Sequence, residues 1–294
     1  MSRRNERVSP RLLRGWGLPS PGGSKYDRGT VLVVGGSLRS PGAAMLAGTA
    51  ALRVGAGKIT LGVARSVAAG VAVAVPESGV VPLPDDAAGS VRGDATAALL
   101  PELEKKSAVL IGSGLDDIDA TREIVSGLVA GAPEALVFVL DAYALAAVAD
   151  QPELVRPLRD RLILTPNPVE LATLLGDGEE IAPDDARRIR RAAQEIARRF
   201  GAAVATQALV AAPDGATWTL KAGGPGLGTS GSGDVLAGAV TGFAARGISP
   251  AHAAVWGTYV HAAAGDQLAH GEDGVGYLAG ELPARFPRII ADLA

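Results

Sequence analysis

From residue 30 to residue 168 one unit recurs, and it limits the possible folds more than any other feature: a short apolar run, a small or acidic residue at its end, then a stretch with helical spacing. Thr30-Val31-Leu32-Val33-Val34 ends at Gly35-Gly36-Ser37, and Ala108-Val109-Leu110-Ile111 ends at Gly112-Ser113-Gly114. Residues 136–140 end at Asp141, and Leu162-Ile163-Leu164 ends at Thr165-Pro166-Asn167-Pro168. Runs that are apolar on both faces belong to strands covered on both sides, as in a parallel sheet between helices. The carboxyl ends of such strands share one edge, and ligands bind in the crevice outside it. Gly36, Gly114, Asp141 and Asn167 are therefore candidates to line a single cleft. Each is also a common turn former, so the weight lies in their joint placement.

The first unit is the clearest. Pro41 suits a helix's first turn, residues 42–54 are mostly Ala, Leu and Met, and Gly55-Ala56-Gly57 stops the helix before a second strand at 58–63. A dinucleotide fingerprint would need Gly-x-Gly-x-x-Gly after the first strand and an acidic residue ending the second. The loop is Gly35-Gly36-Ser37-Leu38-Arg39-Ser40-Pro41-Gly42 and the second strand ends Val63-Ala64-Arg65, which argues against an ordinary Rossmann dehydrogenase. Further on, helices are predicted over 169–175, 183–200 and 251–269. The second of these carries Arg187, Arg188, Arg190, Arg191, Arg198 and Arg199 with Asp184, Asp185 and Glu195 interleaved, the pattern of a solvated outer helix. Short runs at 202–205, 209–212 and 217–220, with Pro213-Asp214-Gly215 between the last two, predict an antiparallel edge to the sheet. Trp256 and Tyr259 read as core or subunit-contact residues.

Residues 223–238 form a loop nearly devoid of bulky side chains that runs into a helix predicted over 234–246. The first N–H groups of a helix lack carbonyl partners and carry partial positive charge, so a phosphate fits against Gly231, Ser232 and Gly233. Asp234 would repel that anion if aimed at it, so it is read as facing a substrate hydroxyl or a metal. An ordinary Asp or Ser helix cap is the plainer alternative.

Composition narrows the remaining choices. The 294 residues, 48% hydrophobic and 20% charged, suffice for one large α/β domain, placed here at 15–294 behind a solvated tail at 1–14 that leads into Trp16. A net charge of −3 and 4% aromatic residues do not favour nucleic acid as a partner. No apolar run is long enough to span a membrane. Zero cysteines exclude disulfides and thiolate chemistry and suit a reducing cytoplasm. His252, His261 and His270 have no metal-ligand spacing and read as helix-face or helix-end residues.

Several segments together resemble the ADP- or ATP-dependent NAD(P)H-hydrate dehydratase family: Lys25-Tyr26-Asp27-Arg28-Gly29, Val33-Val34-Gly35-Gly36-Ser37, Pro41-Gly42-Ala43, residues 50–57, Leu164-Thr165-Pro166-Asn167-Pro168-x-Glu170, and the glycine loop. The resemblance spans the chain from about Gly15 onward. It implies a ribokinase-like three-layer α/β/α sandwich, with a mostly parallel central sheet and an antiparallel edge. It also implies that the S-epimer of hydrated NADH or NADPH is dehydrated with ADP (bacterial type) or ATP (eukaryotic type) and magnesium, whose ligands the motifs leave unknown. A separate epimerase acting on the same metabolite and a homotetrameric, cytoplasmic enzyme are further expectations of the resemblance.

By the same resemblance, Asp234 contacts the hydrated nucleotide and is the catalytic base, while Ala43, Gly114 and Asn167 line the hydrate pocket. Gly231, Ser232 and Gly233, with Thr206 and Gln207, would bind the adenine nucleotide. A helix N-terminus stabilises a carboxylate by about 0.3–1 kcal/mol, so Asp234 is expected to be ionised and a slightly weakened base. The sequence departs from the family pattern at Ala205-Thr206-Gln207-Ala208, where a Lys-Gly-x-x-Thr segment is usual and no lysine occurs. A ribokinase-like kinase of another small hydroxyl compound, such as a vitamin precursor, and a nucleotide-binding paralogue without activity are the alternative readings.

Overall fold

The computed structural model describes residues 5–20, 22–269 and 274–293, so the reading of His270 lies outside the described residues. Ten strands form one sheet: β1 Asn5–Arg7, β2 Thr30–Val34, β3 Lys58–Ala64, β4 Ser78–Leu83, β5 Ala108–Ile111, β6 Val137–Leu140, β7 Leu162–Leu164, β8 Ala203–Thr206, β9 Leu209–Ala211 and β10 Thr217–Thr219, in the order β1-β10-β9-β8-β7-β6-β5-β2-β3-β4. The helices are α1 Pro10–Trp16, α2 Pro41–Arg53, α3 Arg65–Ala74, α4 Thr96–Leu103, α5 Ile118–Ala130, α6 Tyr143–Val148, α7 Pro168–Leu175, α8 Ala186–Phe200, α9 Ser232–Ala245, α10 Pro250–Leu268 and α11 Phe286–Ala291.

Side chains of a strand alternate between faces, and here both faces are apolar. Val31 and Val33 of β2 join a core with Ala47 of α2, Val240 of α9 and Val260 of α10. Leu32 and Val34, their immediate neighbours, join a second core with Ile124 of α5, Leu145 of α6 and Ile196 of α8. The sheet is thus the middle layer of three, as the resemblance implied. All β2 residues are buried, which is why no polar residue interrupts the run.

Pairing from β4 through β8 is parallel, and β8, β9 and β10 pair antiparallel, so the predicted edge is present. The expectation of a solvated tail at 1–14 is corrected over the described part. Strand β1 pairs in parallel with β10, Asn5 opposite Thr217, and α1 is capped by the Ser9 side chain and buries Leu13 completely. Trp16 stacks on His252 with ring centroids 3.8 Å apart and meets Trp218 edge-on. Asn-Glu-Arg carries no apolar alternation; the sheet edge, not its own side chains, makes it a strand. Helix α8 begins three residues later than predicted, at Ala186, because Asp185 accepts from the Arg188 N–H and caps it there. Its polar face is solvated as expected, with Arg188 paired to Asp177 and Glu179. Among the described residues no helix is long and apolar enough to cross a membrane.

Candidate functional site

The ends of β2, β5, β6 and β7 meet on one edge, as the parallel topology requires. The Gly36 N–H donates to the Ser113 carbonyl at 3.0 Å and the Ser37 N–H to the Gly114 carbonyl at 2.8 Å, joining the first two loops backbone to backbone. Gly114 lies against Ala43 at the start of α2: a Cβ at Gly114 would stand 3.0 Å from that of Ala43 and 2.4 Å from the Ser40 carbonyl. Two of the residues assigned to the hydrate pocket are therefore in contact.

Asp141, just beyond β6, is 6% exposed and accepts from Thr165 Oγ1 at 2.8 Å and from Ser113 Oγ at 3.3 Å. Burial pushes its carboxyl well above the ordinary range, and the charges of Glu170 and Asp234 push the same way against the two hydroxyls. Asn167 caps α7: its Oδ1 accepts from the Val169 and Glu170 N–H groups at 2.9 and 3.0 Å, and Glu170 Oε2 accepts from the Asn167 N–H at 2.8 Å. With its carbonyl so engaged, the Asn167 side chain offers a ligand only its amide NH2. Burial also raises Glu170, whose partly offsetting backbone bond to Asn167 outweighs the charge of Asp234.

Asp234 stands in the first turn of α9, half-buried. Burial raises its carboxyl and the Ser113 hydroxyl pulls it partly back. The net direction is upward, opposite to the expectation that the helix end leaves a slightly weakened base. Ser113 thus connects Asp234 with Asp141, and three carboxylates from the ends of α7, α9 and β6 oppose one another's ionisation. Among the described residues no group of three or more His, Asp or Glu side chains is close enough to hold a metal by itself.

The glycine loop ends at Gly231, which occupies the left-handed region (φ 86°) as the N-cap of α9 and brings no side chain to cap it. A Cβ there would also stand 2.6 Å from Leu46 Cδ1. The Ser232 N–H donates to the Thr229 carbonyl at 3.2 Å, so of the three expected phosphate amides this one is engaged. Among the described residues the N–H groups of Gly231, Gly233 and Asp234 have no protein partner, so two of the three expected amides are free and Asp234 adds another.

Thr206 ends β8 and Gln207 follows it, on the same sheet edge. They line a hollow of about 190 Å³ with Arg190, Ala208, Leu209 and Thr219, which none of residues 231–234 lines. Thr206 Oγ1 is buried without a partner among the described residues, and Gln207 takes a positive φ of 45°. Arg190 of α8 is the cationic residue lining this hollow. Its Nη1 donates to Asn5 Oδ1 and Thr217 Oγ1.

Sequence reasoning missed two members of the site. Ser113 read as a strand-end turn residue, and only the fold shows its hydroxyl between two carboxylates. His261, read as a helix-face residue, is buried in α10 with Nε2 3.0 Å from Ser232 Oγ, and burial lowers its pKa to about 4. The one signal for it was a histidine in a stretch of the helix, residues 260–265, otherwise built of small and apolar residues.

Comparison with known proteins identifies the family. The sequence profile of the family described as NAD(P)H-hydrate dehydratase matches residues 31–288. The chain is 45% identical over 290 residues to an ADP-dependent (S)-NAD(P)H-hydrate dehydratase of Xanthomonas campestris, covering 96% of this chain and 95% of that one. It is 37% identical to a bifunctional NAD(P)H-hydrate repair enzyme of Moorella thermoacetica, covering 92% of this chain and 51% of that protein. The fold superposes on a ribokinase-like superfamily protein from Enterococcus faecalis with a TM-score of 0.81 at 22% identity, over 99% of this chain and 96% of that one. The ADP/ATP-dependent NAD(P)H-hydrate dehydratase of Bacillus subtilis, co-crystallised with ATP and Mg2+, gives 0.79 at 24% identity, over 98% and 99%. This chain belongs to the NAD(P)H-hydrate dehydratase family.

Proposed function

We propose that the protein dehydrates the S-epimer of hydrated NADH and NADPH at the expense of ADP, with Asp234 as the base. The observation that carries this reading is a half-buried carboxylate of raised basicity one residue from an unpartnered helix-end N–H. Asp234 accepts the proton of the ring hydroxyl while that oxygen forms its bond to the terminal phosphorus of ADP. The bond from that phosphorus to the bridging oxygen breaks, and AMP departs. The ring nitrogen then expels phosphate as the C–O bond breaks, and loss of the neighbouring ring C–H proton restores the dihydropyridine. The N–H groups of Gly233 and Asp234 would hold the transferred phosphoryl, where preorganised donors cost no reorganisation.

Hard oxygen donors and excess negative charge fit magnesium, which uses one or two carboxylates and completes its shell with phosphate and water. Asp141 and Glu170 are the residues that would hold it. Bound there, it would neutralise charge on the transferred group. Interconversion of the two hydrate epimers falls to a separate protein in this reading.

The direct test supplies hydrated NADH with magnesium and either ADP or ATP and follows recovery of the reduced-nicotinamide absorbance. Recovery with ADP exceeding that with ATP is expected; none with either nucleotide overturns the proposal.

A further inference from the structure

The α9 N-terminus must hold two free N–H groups and a carboxylate in fixed positions, yet its cap residue has no side chain with which to fix them. What fixes the first turn lies one residue on. Ser232 is 4% exposed and its hydroxyl points into the core, where it shares a 3.0 Å hydrogen bond with His261, itself 7% exposed and just past the middle of α10. Helices α9 and α10 touch closely along their length: a Cβ at Gly257 of α10 would stand 2.5 Å from Val240 Cγ2. The body of α9 is thus held against α10, and the Ser232–His261 bond ties its first turn, which also packs on Leu46 of α2, to the same helix. Neither side chain has a part in the proposed bond-making steps.

We propose that His261 is a positioning residue for the nucleotide: by holding Ser232 it fixes the Gly233 and Asp234 N–H groups in the arrangement that receives the terminal phosphate. This rests on the proposed nucleotide-dependent reaction. A buried neutral imidazole suits the task, because its bond to the hydroxyl does not vary across the working pH range. Removing it leaves the Ser232 hydroxyl buried and unpaired, and the turn must move to hydrate it.

The test measures binding of Mg-ADP and Mg-ATP by calorimetry and steady-state kinetics with hydrated NADH, for the parent protein, His261→Leu, Ser232→Ala and His261→Gln. His261→Leu and Ser232→Ala are expected to weaken nucleotide binding by about 10-fold, with the hydrate KM within about twofold of the parent, since one buried hydrogen bond is the only contact removed. His261→Gln, whose amide can reach the hydroxyl, is expected to restore most of the affinity. Folded leucine and alanine variants that bind nucleotide as the parent does would overturn the proposal, as would an equal rise in nucleotide and hydrate KM. If His261→Leu does not fold, Ser232→Ala decides. A parent protein that binds neither nucleotide refutes the proposed reaction itself, a result distinct from parent binding that the variants leave unchanged.

Discussion

Gly238 of α9 lies directly against the Ala47 carbonyl of α2: a Cβ added at Gly238 would stand 2.1 Å from that oxygen. The obstacle is backbone, so no rotamer change relieves it, and α9 would have to withdraw from α2. Gly238→Ala should therefore destabilise the protein by roughly 1–3 kcal/mol or more, despite alanine's better helix propensity. Chemical denaturation measures this, and an unchanged midpoint would contradict the packing described.

Asp234→Asn keeps the size and hydrogen-bonding capacity of the side chain and removes its basicity. Turnover of hydrated NADH should fall by about 10²–10⁴-fold, the contribution typical of a general base. Binding of Mg-ADP should persist, because the N–H groups that receive phosphate are backbone. In the parent enzyme the acid limb of kcat should lie above the ordinary carboxylate range, since burial raises Asp234 and activity requires its ionised form. A limb at the position of a free aspartate would sink this assignment.

Asp141 gives a stability test with the opposite sign from that of a salt-bridged acid. Its folded pKa is raised, so the folded chain retains a proton that the unfolded chain releases, and stability drops as pH rises above the unfolded value. Asn at this position escapes that loss. Without magnesium, the melting temperature of Asp141→Asn should exceed that of the parent near neutral pH, by roughly 2–4 °C for each kcal/mol, and converge with it in acid. A difference that does not change with pH would refute it.

His261 acts in the other direction. Its pKa is lowered from 6.5 to about 4, so between those values the unfolded chain takes up a proton that the folded chain refuses. Acidification across that window should cost the parent up to about 3 kcal/mol from this group. In His261→Gln that portion of the slope should be missing, which denaturant titrations at a series of pH values will show; identical slopes would count against it.

The parts of the fold legible in the sequence were those where burial on both faces leaves an uninterrupted apolar run, as in β2, β5 and β7. Strand β1 is Asn-Glu-Arg and β4 is a part-exposed edge strand containing Pro82, and neither carries a periodic signal. At the site, Asp234, Gly114 and Asn167 could be read because each follows a strand or opens a helix. The links between them could not. Ser113 and Asp141 are 28 positions apart and Ser232 and His261 are 29 apart, and such pairings depend on how whole elements dock. Thr206 and Gln207, which the resemblance placed with the nucleotide, line a hollow shared with α8 that no sequence pattern announces.

Strand β1 also bears on how the chain reaches its folded state. Asn5 meets Thr217, 212 positions away, and Arg190 ties both to α8. As the ribosome delivers the chain, β1 has no place in the sheet until β10, the last of the ten strands, has been built. Closing so long a loop carries an entropic cost that must be met before its contacts form. The N-terminal segment thus waits through most of synthesis and completes the β10 edge of the sheet last, leaving that edge open to pairing with other chains until it docks.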